Sequence, residues 1–144
     1  MKKIMLLSIT FAIVLNACQA SDESGGKVIE IKEKMFIAQT NEIYYNAKDY
    51  LGKTIKYEGI LKVHEVYGTD TKYYSVIRYG PGCCSTDENA GFFVEWDKEY
   101  PNPNDWVEAV GVLKEYDENG KKTLCLALTS LKTLSKRGAE TVFR

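Results

Sequence analysis

The chain has 144 residues, with 19 basic side chains, 20 acidic ones and a formal net charge of −1. That balance excludes the basic face or stripe that nucleic-acid binding demands. A hydrophobic content of 44%, ten tyrosines and only three prolines exclude a disordered chain and suit one β-rich domain with a real core.

At the start, Lys2 and Lys3 precede an apolar run from Ile4 to Leu15. The run has the length of a signal-peptide core and falls short of the roughly twenty residues a membrane helix needs. It ends in Leu15-Asn16-Ala17-Cys18, which resembles the bacterial lipobox, with Asn16 departing from the small or apolar residue usual there. The resemblance implies cleavage before Cys18, acylation of that cysteine, and a lipid-anchored protein of the bacterial cell envelope, outside the cytoplasm. The alternative is an ordinary secretory peptide with Cys18 as an incidental thiol. Residues 1–17 hold two of the basic residues and no acidic one, so the mature chain carries a net charge of −3. Residues 18–27 are polar, small and glycine-containing and read as a flexible tether. The folded domain is expected over residues 28–144.

Val28, Ile29 and Ile31 make a short strand candidate. Phe36, Ile37, Ile43, Tyr44, Ala47 and Leu51 then recur at three- and four-residue spacing, which predicts an amphipathic helix to about Asp49, stopped by Leu51-Gly52. Five strands follow, over Thr54–Val66, Tyr73–Tyr79, Phe92–Trp96, Trp106–Tyr116 and Lys122–Leu134. In the first, Ile55, Tyr57, Leu61 and Val63 share a side, and Gly59 marks a place to bulge or coil. Asp117-Glu118-Asn119-Gly120 is the strongest hairpin signal, and in the last strand Leu124, Leu126 and Leu128 face away from Cys125 and Ala127. The expected fold is mainly β: a five-stranded OB-like Greek-key barrel with one helix before the first long strand. The helix usual between the third and fourth barrel strands has no room in Asp97–Asp105.

With Cys18 assigned to lipid, Cys83, Cys84 and Cys125 remain, an odd number in a compartment that permits disulfides. Cys83-Cys84 lies in a glycine-flanked loop, Gly80–Gly91, able to fold tightly around an ion. Thiolates are soft donors for zinc or copper(I), and Asp87 or Glu88 could complete a zinc shell. A disulfide from Cys83 or Cys84 to Cys125, or inert packing, are the alternatives. His64, the only histidine, reads as an exposed polar position, or else as a ligand or proton carrier near the loop. No third group orients a Cys–His pair, so no enzyme is expected. Tyr73, Tyr74, Tyr79, Phe92, Phe93, Trp96, Tyr100 and Trp106 could form a stacking platform, although alternate aromatics in strands generally serve as core.

The order of segments resembles the C-terminal domain of a bacterial family of membrane-anchored proteins encoded beside predicted permeases and induced under zinc limitation. The likeness runs through Val28-Ile29-Glu30-Ile31, Phe36, Asn41-Glu42-Ile43-Tyr44, Tyr50-Leu51-Gly52-Lys53-Thr54-Ile55 and Glu58-Gly59. It continues with Cys83-Cys84 and Asp87, then Asp105-Trp106-Val107 and Gly111. The resemblance implies an extracytoplasmic OB-like domain in zinc or other metal homeostasis, with Cys83 and Cys84 as candidate ligands and a permease or other envelope protein as partner. Two departures stand out: a lipobox takes the place of the family's N-terminal membrane helices, and Ser85-Thr86-Asp87 replaces small apolar residues. Two further readings accompany this one. They are an envelope recognition module for glycan, peptide or protein, using the barrel's aromatic face, and a thiol redox protein using Cys83 or Cys84.

Overall fold

The computed structural model describes residues 26–80, 88–118 and 120–143. A two-residue strand, β1 (Ile29–Glu30), is followed by a 3₁₀ turn (Glu33–Met35), α1 (Phe36–Tyr45) and the single turn α2 (Ala47–Tyr50). Phe36, Thr40 and Ile43 fall on one face of α1 and are buried. The helix expected to run to Asp49 breaks at Asn46, whose Nδ2 donates to Glu42 Oε1 at 2.7 Å. Asn46 keeps its backbone bond to Glu42 O but leaves helical geometry at φ −113° and ψ 37°. Gly52 then turns the chain at φ 79° and donates its N–H to Leu113 O.

The remaining strands are β2 (Thr54–Glu65), β3 (Lys72–Gly80), β4 (Glu88–Glu95), β5 (Trp106–Glu118) and β6 (Lys121–Thr133). All five expected strands are present, with boundaries within a few residues. β2 pairs antiparallel with β5 over Thr54–Ile60 and with β3 over Ile60–Glu65. The handover occurs beside Gly59, where an added Cβ would lie 2.7 Å from Ile77 O, so only glycine lets the strands approach this closely. β3 pairs antiparallel with β4, β4 parallel with β6, and β6 antiparallel with β5. Together these ladders close a five-stranded barrel, β2-β3-β4-β6-β5-β2, with the OB arrangement.

Ile55, Tyr57, Leu61, Val76, Phe92, Val107, Leu124 and Leu126 build the core, and α1 adds Phe36 and Ile43 to it. The helix thus fills from the N-terminal side the role that OB barrels usually give to an internal helix. Val63, expected with the core face of β2, is only half-buried. Tyr57 carries a polar group deep in this core. Its hydroxyl donates to Val76 O at 2.8 Å and accepts from Phe92 N–H at 3.3 Å, which satisfies two backbone groups of the β3–β4 ladder.

A C-terminal strap, for which the sequence patterns give no element, covers the end of β3. Thr141 bridges Tyr79, Tyr79 N–H donates to Glu140 O, and Val142 is buried in the core. Among the described residues no helix is long and apolar enough to cross a membrane.

Candidate functional site

Cys18, Cys83, Cys84 and Asp87 lie outside the described residues, and so do the metal geometries drawn on them; of Glu88 only the backbone, at the start of β4, is described. Cys125 is described, and it is a free, buried thiol. The alternative of a disulfide from Cys83 or Cys84 to Cys125 turns on two cysteines outside the described residues. Cys125 itself sits opposite Phe93 in the parallel β4–β6 ladder. Burial, followed by the nearby Glu95 carboxylate, pushes the Cys125 thiol up to about 11, so it stays protonated at neutral pH. Among the described residues, no three His, Cys, Asp or Glu side chains come together in a way that could hold a metal ion.

His64 sits exposed near the end of β2, as its bland reading expects. Its Nε2 lies 2.8 Å from Ser75 Oγ, and its ring meets Phe93 edge-on at 5.8 Å. Arg78, the positive charge nearest the cysteine pair in sequence, is already committed. It is 2% exposed, stacked 5.2 Å from the Phe36 ring centroid and 4.7 Å from that of Trp106. Its Nε donates to Glu58 O, and Nη1 donates to Glu33 Oε2 at 2.8 Å and to Ala139 O at 3.1 Å. Glu33 Oε2 also accepts the Ala139 N–H, so the one carboxylate ties the 3₁₀ turn, β3 and the strap together.

The aromatic residues divide into two sets. Phe92 and Trp106 are core, and the Trp106 indole N–H donates to Glu58 Oε2. Phe93, next in the chain to Phe92, must point the other way on a strand, and it is 39% exposed. Tyr116, which sequence reasoning left out of the platform, is 48% exposed. With Tyr73, Tyr74, Trp96 and Tyr100 these two line a groove of about 480 Å³ on the β3–β4–β6 side of the barrel. Lys72, Lys121, Glu95 and Thr123 supply its polar groups, and Cys125 lies in its floor.

The groove is built in advance of any ligand. Tyr100 stacks on Tyr74 at 3.6 Å with an interplanar angle of 4°. Its hydroxyl accepts the Trp96 N–H at 2.8 Å and donates to Val94 O at 3.3 Å, which fastens the β4–β5 loop to the barrel. Partial burial raises the Tyr100 phenol above its ordinary range, so this donor persists through physiological pH. Beyond the stacked pair lies a second depression of about 670 Å³, bordered by Val63, Glu65, Glu99, Asn102 and the two prolines Pro101 and Pro103.

Such a surface can hold a flat or ring-bearing ligand by stacking while its rim supplies hydrogen bonds. OB barrels take oligonucleotides and oligosaccharides on the face of their second and third strands. In this chain those strands are β3 and β4, the ones under the groove. No curated protein matches the sequence. Residues 16–144 match the DUF1980 C-terminal domain, and the chain belongs to that family.

Proposed function

We propose that the protein is a lipid-anchored recognition domain of the bacterial cell envelope, exposed outside the cytoplasm, and that the aromatic groove over β3, β4 and β6 is its binding surface. The lipobox-like Leu15–Cys18 supports the address, and the polar stretch to residue 27 gives the barrel reach from the membrane. The observation that carries the binding assignment is the aromatic lining itself, with Phe93 and Tyr116 left 39% and 48% exposed and a rigid Tyr74–Tyr100 pair bordering the same hollow. Monomeric surfaces rarely keep several large aromatics together in one concave patch without a use for them. The role in this reading is binding rather than catalysis; His64 bonds Ser75 and sets its ring edge-on to Phe93 at the groove. Photo-crosslinking in living cells from position 93, with position 45 as control, tests this: a discrete adduct from 93 alone supports the groove, and equal adducts from both sites sink it.

A second reading keeps zinc. It rests on the adjacent thiols Cys83 and Cys84, which lie outside the described residues. Held reduced, they are two soft donors for a metal, with a permease or other envelope partner able to complete the shell. The redox version gains nothing from Arg78, whose charge is taken up by Glu33. Native mass spectrometry of the reduced chain with added zinc should show one bound zinc that disappears in Cys83→Ser. The metal reading ends if the reduced wild-type protein takes up none.

A further inference from the structure

We infer that the groove takes a neutral, linear oligosaccharide laid across two subsites that meet at the Tyr74–Tyr100 pair; this rests on the groove being the binding surface, and it names the ligand class. The 480 Å³ groove and the 670 Å³ depression share Lys72, Tyr74 and Tyr100, so a single chain-like ligand can occupy both. The two halves differ in chemistry. On one side Phe93, Trp96 and Tyr116 offer ring faces and edges. On the other, Glu65, Glu99 and Asn102 offer carboxylates and an amide. A pyranose ring has both complements: an apolar C–H face for stacking and a rim of hydroxyls that donate to carboxylates and exchange bonds with an amide.

The competing ligand classes fail on specific grounds. Among the described residues the charged side chains around the two hollows are Lys72 and Lys121 against Glu65, Glu95 and Glu99, and Lys72 is itself paired with Glu65 at 3.1 Å. That set cannot neutralise the phosphates of a polyanion. An extended peptide would need an open sheet edge to add to. At the centre of the groove no such edge is open, because Tyr74 is paired with Val63 and Val94, and Phe93 with Ser75 and Cys125. An acyl chain would press hydrocarbon against carboxylates and ammonium groups and strip their water.

The test uses the full chain in detergent micelles against gluco-, manno-, galacto- and N-acetylglucosamine oligosaccharides of one to six units, read by isothermal titration calorimetry. Binding should appear within one neutral series and tighten at least tenfold between the disaccharide and the tetrasaccharide, as the second hollow fills. Trp96→Ala and Tyr116→Ala should each weaken it at least tenfold without lowering the thermal midpoint, and Glu99→Gln should weaken the tetrasaccharide but not the disaccharide. If no neutral series binds, or affinity is flat with length, the proposal is overturned. A position-93 crosslink that succeeds while every neutral glycan fails overturns the sugar and leaves the groove standing, whereas failure of both removes the groove as well.

Discussion

Gly91→Ala is expected to cost more than about 3 kcal/mol, the sum of a strained backbone and an overpacked site. Gly91 adopts φ 145°, and a Cβ built on it would lie 2.1 Å from Val76 O and 3.0 Å from Ile77 Cα. Both contacts are backbone, and neither can swing aside. Val76 O is further held by the Tyr57 hydroxyl, and Gly91 O accepts the Tyr44 hydroxyl at 2.8 Å, which docks α1 on β4. Tyr44 stacks on Phe92 at 5.2 Å, and burial pushes its phenol up to about 12, so the hydrogen bond to Gly91 is not lost by ionisation at any ordinary pH. Thermal unfolding followed by circular dichroism should show Gly91→Ala melting more than ~10 °C below wild type, by the scaling for a domain of this size. Gly52→Ala is the matched control. Gly52 has φ 79° but nothing within 4 Å of the place a methyl group would take, so only backbone strain remains, at about 1 kcal/mol. Equal losses from the two substitutions would contradict the packing of β3 against β4.

Arg78→Met is expected to cost about 3 kcal/mol, because it orphans several partners at once. The Glu58 and Ala139 carbonyls lose their donor, Glu33 loses its counter-charge, and the Phe36 and Trp106 rings lose the guanidinium stacked against both. The strap should loosen with it, so amide hydrogen exchange at Tyr79 and Val142 should accelerate more than at Leu126 in the barrel. Glu33 adds a pH signature. The Ala139 N–H first, and then Arg78, hold its carboxyl below the usual carboxylate range. A carboxyl depressed on folding stabilises the protein above its unfolded pKa, and that contribution fades as pH falls through the folded value. The gap in melting temperature between wild type and Glu33→Gln should therefore be present at pH 7 and close below about pH 4, near the ordinary glutamate pKa. A gap unchanged at low pH would show that Glu33 acts through something other than its charge.

Much of the barrel was legible because its strands are long and alternate cleanly. In β4, Phe92 and Val94 are buried while Phe93 and Glu95 are exposed, a period of two that survives intact. Gly59 announced the handover of β2 between partners, and Asp117 with Gly120 announced the β5–β6 turn, where Gly120 N–H donates to Asp117 Oδ1 at 2.9 Å. The Arg78 network was not legible. Its members stand at positions 33, 58, 78 and 139, and no local spacing links residues that far apart. The strap lacked a signal for the same reason, since it docks through backbone hydrogen bonds that any residue can make.

The groove is an intermediate case. Phe92-Phe93 contains the clue, because adjacent strand residues cannot both enter the core, and one large ring must face outward. Tyr116 carries the same clue, lying across the β5–β6 ladder from Thr123 on the face it shares with Lys114 and Cys125. What the sequence lacked was the closure of the barrel. Only the parallel β4–β6 pairing brings Phe93 beside Cys125 and so gathers rings from four separate segments. The paired thiols at Cys83-Cys84 drew attention through their composition, while the aromatic face needed topology to be seen.

The claim that this face is where the protein binds is tested most directly by placing a photoactivatable benzoylphenylalanine at Phe93, at Tyr116 or at the control position Tyr45 in the full-length protein in living cells. Tyr45 is 86% exposed on α1 and does not line the groove. One discrete adduct shared by positions 93 and 116, absent from 45 and lost when Trp96→Ala is added, is the expected result. An adduct pattern that is the same from all three positions, or unaffected by Trp96→Ala, would contradict the assignment.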